Sequence, residues 1–193
     1  MSTLKEPGPA KLLCSIFSGS KEMIDKTAYD LAERFGGIDL ESETLAFDFT
    51  TYYEPEFGSG LVRKLVSFEG LVRQDSLPEI KYVTNDLEQM TVSSGKRKVN
   101  IDPGLLTAER LVLATGKNFT HRIYLGRGVF ADLTLIYQAK SFQVLPWTFP
   151  DYASEPVQNF LLRVRKVFLK QRDEWACMNR SDRVSVCKRR LGD

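Results

Sequence analysis

A chain of 193 residues with 42% hydrophobic and 27% charged residues has the make-up of an ordinary globular domain, so disorder is not the default reading. Its three cysteines, Cys14, Cys177 and Cys187, show no CxxC spacing or Cys/His cluster, which argues against a disulfide scaffold or structural zinc. The net charge of +2 conceals a split. From Leu161 onward ten Lys or Arg face four Asp or Glu, a net of +6, and the preceding residues carry −4.

The opening "MSTLKEPGPAKLL" has no apolar h-region, and no apolar run nears the ~20 residues that span a bilayer. A cytoplasmic protein without a membrane segment is expected. "AKLLCSIFSGS" reads as a buried first strand closed by turn residues, with Cys14 in the core. In "KEMIDKTAYDLAERFGG", Ile24, Ala28, Leu31 and Phe35 fall on one helical face. Ser18 or Ser20 can cap that helix, and Gly36–Gly37 ends it. "ETLAFDFT" alternates as a second strand, and "LVRKLVSFEGL" forms a third. A second helix begins at "SLPE", where Ser76 and Glu79 have capping-box spacing and Ile80, Val83, Leu87 and Met90 supply the apolar stripe. "RKVNID" reads as a fourth strand ended by Pro103–Gly104. "LLTAERLVLATG" fits a short helix or a strand. "HRIYLGRGVFADLTLIYQ" predicts a hairpin turning at Gly126-Arg127-Gly128, with Leu125 opposite Val129 and Arg122 opposite Asp132. After the proline-punctuated "LPWTFPDYASEP", a last helix starts near Glu155.

The order β-α-β-β-α-β predicts an α+β protein with a ferredoxin-like βαββαβ core and an antiparallel sheet, extended by a C-terminal β-hairpin and helix. Residues 1–174 are expected to form one domain. Residues 175–193 form a basic tail that is a candidate for disorder. The tail is the one feature that could attract nucleic acid, a disfavoured partner, and a solvated helix face explains its charge as well.

The stretches "FDFTTYY", "SFEGLV", "IKYVTNDLE", "KVNIDPGLLTAERLVLATGKNFTHRIYLGRG" and "LPWTFPDY" resemble an uncharacterised bacterial family, domain of unknown function 4416, across roughly residues 11–170. Thr51, Tyr52 and Tyr53 match that family's Thr-Tyr-Tyr motif. The resemblance implies no activity, cofactor or catalytic residue, although members are sometimes labelled GTP-binding. A P-loop needs G-x-x-x-x-G-K-[ST], whose glycine amides cradle phosphate and whose hydroxyl holds magnesium. "LVLATGKN" puts Leu111 and Asn118 at two of those places, and "MTVSSGKR" puts Met90 and Arg97 there. Nor is there an Asn-Lys-x-Asp motif. GTP could bind only in some other manner.

Two constellations can carry chemistry. Asp48, Asp102 and Asp132 stand near strand ends or in the hairpin. Asp48 and Asp102, if on adjacent strands, could share Mg²⁺ for phosphoryl transfer or phosphoester hydrolysis. Asp102 before Pro-Gly suits a turn equally well. The second is "GKNFTHRIYLGRG", with Lys117, His121, Arg122 and Arg127. His121, the one histidine, could act as an acid or base, or be a satisfied, half-buried side chain on the face of Ile123 and Leu125. Arg122 and Arg127 suit bidentate contacts to phosphate or carboxylate, though Arg122 could instead pair with Asp132. Successive side chains of a strand alternate, so one of Tyr52 and Tyr53 must be displayed, as at the rim of a pocket. The first reading is binding of a small anionic or nucleotide ligand by Thr51, Tyr52, Tyr53, Lys117, Arg122 and Arg127. The alternatives are an Mg-dependent enzyme using Asp48, Asp102 or His121, and a non-catalytic protein-interaction module.

Overall fold

A computed structural model describes residues 3–190, with side chains through Met178. Strand β1, Ala10–Ser18, is buried on both faces, its mostly apolar run carrying Lys11 and Ser15 inside with it. Helix α1, Lys21–Phe35, starts at Ser20, whose hydroxyl accepts the Met23 N–H at 3.2 Å. Ile24, Ala28 and Leu31 are its buried stripe. Strand β2, Ile38–Glu41, and strand β3, Leu45–Ala46, follow. The second strand is therefore "IDLE", and "ETLAFDFT" contributes only two residues to the sheet. A short helix α2, Glu54–Phe57, leads into the long strand β4, Val62–Val72.

Helix α3, Leu77–Met90, follows a 3-10 turn at Gln74–Ser76. The expected capping box does not form, because that turn leaves Ser76 helical and its hydroxyl donates back to the Arg73 carbonyl at 2.7 Å. Strand β5, Asn100–Leu106, runs straight through Pro103–Gly104 instead of ending there. Its pairing with strand β6, Arg110–Thr115, begins at Gly104, so proline falls where the outer edge is unpaired and no ladder hydrogen bond is lost. The ambiguous "LLTAERLVLATG" resolves into the end of β5, a tight turn and β6.

Strand β7, Arg122–Gly126, and strand β8, Val129–Gln138, form the predicted hairpin, and strand β9, Ser141–Val144, pairs with β8. Arg122 faces Asp132, as expected. Gly126 rather than Leu125 pairs with Val129, because the ladder slips between Tyr124 and Gly126. Arg127 and Gly128, at φ 53° and 76°, form the two-residue turn. Helix α4, Glu155–Arg190, ends the described chain.

Among the described residues the strands form one nine-stranded sheet in the order β2-β4-β1-β5-β6-β8-β7, with β3 on β4 and β9 on β8. Every pairing is antiparallel. The protein is thus α+β, with helices on both faces. Leu12, Cys14 and Ile16 of β1 join α1 and α3 in one apolar layer. Burial raises the Cys14 thiol well above its ordinary value, so it is a packing residue. Leu13 points to the second face, where Val157, Phe160, Val164 and Phe168 of α4 cover it at helical spacing. That helix covers only part of the second face, and the uncovered end is where the polar side chains gather.

The β5–β6 contact is close enough to demand glycine. A Cβ on Gly104 would come within 2.6 Å of Leu113 Cδ2 and 3.0 Å of the Val112 carbonyl. Gly104→Ala should destabilise the protein by about 1–3 kcal/mol, the range for overpacking. Urea denaturation checks this; an unchanged midpoint would mean the two strands can separate without cost.

Candidate functional site

The uncovered end of the second face is built by register. Ser15 of β1 lies beside Asp102 of β5, and Phe17, one position on along that face, lies between Arg63 of β4 and Asn100 of β5. Arg63 is 4% exposed and forms an ion pair with Asp151. Its guanidinium sits between two rings, 4.4 Å from the centroid of Phe47 and 5.2 Å from that of Tyr152. Asp151 and Tyr152 come from the proline-punctuated loop before α4. That loop is held to β8 by Trp147, which donates to the Leu133 carbonyl at 2.8 Å, and by Thr148, which donates to the Thr134 carbonyl at 2.6 Å. Nothing in the sequence singled out Ser15, Arg63, Asp151 or Tyr152. An arginine and a lysine side by side inside a mostly apolar strand, "LVRKLV", were the available signal, since alternation sends one of the two to each face.

The Thr-Tyr-Tyr segment forms the other wall. It is a turn rather than strand: Thr50 Oγ1 accepts the Tyr52 N–H at 3.1 Å, and the Thr51 carbonyl accepts the Glu54 N–H at 3.1 Å. Thr51 serves the turn through its backbone. Tyr52 is 67% exposed, while Tyr53 turns inward onto Phe17 with centroids 4.7 Å apart. Burial, chiefly, and the charge of Asp102 push the Tyr53 phenol up to about 12, so it stays protonated at neutral pH. One tyrosine is displayed, as expected, but the turn and not strand alternation decides which.

Lys117, from the loop between β6 and β7, reaches the same place. Its Nζ lies 3.1 Å from the Tyr52 hydroxyl and 4.7 Å from that ring's centroid. Two segments 65 positions apart thus meet. Arg122 is joined to this loop by donating to the Lys117 carbonyl at 3.0 Å, but its Nε is committed to Asp132 at 2.8 Å. That pair is nearly buried, at 11% and 5% side-chain exposure, so losing either member would leave the other charge uncompensated. Arg127 is not brought to the site. It lies over the Tyr82 ring at 4.4 Å and 3.4 Å from Glu79, both on α3 and so against the sheet's other face.

His121 precedes β7, so strand alternation does not govern it. Its ring turns to Asp132, not toward Ile123 and Leu125, with Nε2 3.1 Å from Asp132 Oδ2. It stacks flat on Trp147 at 4.9 Å. The side chain is 7% exposed, and Nδ1 has no hydrogen-bond partner. Asp132 therefore serves as the common acceptor for His121 and Arg122.

The aspartate pair offered for Mg²⁺ is not assembled as adjacent strands. β1 and β4 stand between β5, which carries Asp102, and β3, which Asp48 follows. Asp102 instead accepts from Asn100 Nδ2 at 3.0 Å and lies 4.0 Å from Lys81 Nζ. Asp48 is exposed. Among the described residues no group of three or more His, Cys, Asp or Glu side chains is placed to hold a metal ion.

A further network holds α2, and with it the tyrosine turn, against the sheet. Arg97 grips Glu56 through Nε at 2.7 Å and Nη2 at 2.8 Å, and donates from Nη1 to Glu88 at 2.5 Å and Asn100 at 3.2 Å. Asn100 passes the connection on to Asp102.

The chain belongs to the family called domain of unknown function 4416. The family model spans residues 8–168, which takes in every site residue described above. No curated protein matches the chain, and neither does any solved structure. Membership in family 4416 therefore brings no residue roles with it, and the side-chain geometry must supply them. Among the described residues no helix is long and apolar enough to cross a membrane.

The Arg97 network has a pH signature. Arg97's hydrogen bonds hold the Glu56 carboxyl below its ordinary value, so its stabilisation is present above the unfolded pKa of ~4.3 and is lost as pH falls through the lower folded value. Glu88 acts oppositely: burial raises its carboxyl, so its contribution fades as pH rises. Glu88 titrates in both proteins, so comparison with Glu56→Gln isolates Glu56. The substitution should cost about 1 kcal/mol at pH 7, after allowing for solvent screening, and the gap should narrow as pH falls below about 4. Denaturation midpoints at the two pH values check this.

Proposed function

We propose that this protein binds a small anionic ligand at the mouth formed by Lys117, Tyr52 and Tyr53. The observation that carries the reading is the meeting of Lys117 with Tyr52, which puts an exposed ammonium and two phenols at the open end of the second face. Tyr53 connects this mouth to the interior, since its ring contacts Phe17 and its phenol responds to Asp102 and Arg63. Lys117 supplies a point charge for an anion, and Tyr52 an exposed aromatic face and a hydroxyl. A nucleotide belongs to the class that would suit both. GTP would have to bind without a P-loop.

We read the core as ferredoxin-like. The order β2-β4-β1-β5, with α1 and α3 packed on one face, supports that arrangement. The cytoplasm is the compartment we propose, from the absence of paired-cysteine spacing in the sequence. No specific observation favours the magnesium enzyme over ligand binding.

Thermal denaturation of the intact protein against a panel of nucleotides and phosphorylated metabolites tests the reading. A ligand at ten times its Kd should add about 1.4 kcal/mol, a rise of roughly 3–5 °C in Tm for a chain of this size. Lys117→Ala should weaken the responding ligand about tenfold and leave the Tm without ligand within about 1 °C, since Lys117 is exposed. If no panel member raises Tm at millimolar concentration, the reading fails.

A further inference from the structure

The sheet has two outer edges, and they differ. β7 ends the strand order on one side. β9 lies end to end with it, because both pair with the flank of β8 that β6 leaves free: Asp132 lies between Leu113 and Arg122, and Leu135 between Leu111 and Val144. Trp147 fills the gap between the two strands, on the Leu133 carbonyl. This edge is apolar. Ile123, Tyr124 and Leu125 are consecutive in β7 and are 70%, 60% and 40% exposed. Alternation sends neighbours to opposite faces, so neither face of β7 is covered. Phe119 just before β7, and Val144 and Trp147 beyond it, add exposed apolar surface. Edge strands are ordinarily blunted by lysine, proline or an inward-pointing charge. The only charged residue of β7 is Arg122, and its guanidinium is committed to Asp132 and to the Lys117 carbonyl.

The opposite edge, formed by β2 and β3 on β4, carries the exposed carboxylates of Glu41 and Glu43. Laying β7 of one copy on that edge of another would strip water from those carboxylates against apolar side chains. It would also leave a free edge at each end, so the assembly would not close. β7 laid antiparallel on β7 of a second copy meets neither obstacle. The pairing is two-fold and closes, and Arg122 brings no unbalanced charge to it, being neutralised by Asp132. The ladder slip between Tyr124 and Gly126 shortens the pairing, so the side chains that flank the edge must carry most of the contact. They have the area for it. Six large side chains, on average about half exposed, offer roughly 600 Å² per protomer. A standard interface buries about 800 Å² per partner, and the paired backbone supplies part of the difference.

We propose that the protein forms a two-fold homodimer through β7, which joins two nine-stranded sheets into one. Ile123, Tyr124 and Leu125 make the centre of the contact, and Phe119, Val144 and Trp147 its flanks. An area at the small end of the stable range gives a dimer in exchange with its monomer at micromolar concentration. The contact does not depend on the Lys117–Tyr52 mouth as a ligand site.

Sedimentation equilibrium of the intact protein, from about 1 to 200 µM, should show a reversible monomer–dimer equilibrium and no larger species. Ile123→Lys and Tyr124→Lys each put an ammonium on the edge and should weaken the dimer at least tenfold. Tyr29→Lys makes the same kind of change on the exposed side of α1 and should leave the dimer intact. All three side chains are exposed in the monomer, so at concentrations too low for dimer each variant should melt within about 2 °C of the parent protein. Amide hydrogen exchange needs no variant: protection at residues 122–125 should rise with protein concentration, while that of α1 stays constant. The dimer is overturned by a protein that stays monomeric over the whole range, with the apolar edge then left to a different partner. It is equally overturned by a dimer that survives both edge substitutions, by one that Tyr29→Lys dissociates as far, by growth into open polymers, or by protection of β7 that ignores concentration.

Discussion

Arg63 must keep its charge in a place that water barely reaches. Burial lowers the guanidinium's pKa, against Tyr152, Asp102 and Tyr53, which act to raise it, but an arginine stays a cation in a protein. A cation there needs a counter-charge within the fold, and Asp151 is it. Removing one member of such a pair costs about 3–5 kcal/mol, because the other is left buried and uncompensated. The constraint reaches far along the chain. To put Asp151 on Arg63, residues 145–154 must cross β8, which they do through Trp147 and Thr148, and α4 must start just beyond. Tyr152 is delivered by the same turn, and Phe47 closes the other side of the guanidinium.

At the opposite end of the same face a second buried cation does comparable work. Lys11, 0% exposed, pairs with Asp39 and donates to Gln171 Oε1 at 2.8 Å, while Ser67 Oγ donates to Asp39 at 2.6 Å. Gln171 in turn donates to the Glu69 carbonyl at 2.8 Å. α4 is thus fixed by polar contacts near both ends of its packed stretch, with an apolar stripe between them. Buried ion pairs add little net stability, but a wrong register would leave their charges unpaired. Here they tie α4 to a single position over the sheet, and so define which part of that face it leaves uncovered.

The open part is then shaped by contacts between segments distant in the chain. The tyrosine turn is held from below by the aromatic cluster of Phe17, Phe47 and Phe57, and from the side by Arg97 through α2. Lys117 closes over Tyr52 from the β6–β7 loop. The surroundings grade from exposed and cationic at Lys117, through the half-buried Tyr53, to the buried side chains of Ser15, Arg63 and Tyr152.

The sequence by itself determined the elements whose signals are local. Periodicity placed α1 and the start of α4, the apolar runs placed β1 and β4, and the glycines around Arg127 placed the hairpin with Arg122 opposite Asp132. It also drew attention to Tyr52 and Lys117, through a run of hydroxyls and a cluster of basic residues, while their contact with each other is a matter of tertiary structure. Tertiary structure decided the rest. "DPG" reads as a turn, yet β5 continues through it, since Gly104 must lie against Leu113 and Pro103 meets an unpaired edge. His121 reads as a strand residue, yet it turns to Asp132 because β7 has not begun. Arg127 reads as a free tip, yet Tyr82 of α3 is beneath it. Arg63 reads as one of two adjacent cations in a strand, and its partner lies 88 positions away. Such a pairing leaves no local pattern, because a buried charge is satisfied by whichever segment folding brings to it, and the identity of that segment is fixed only when the sheet and α4 close around it.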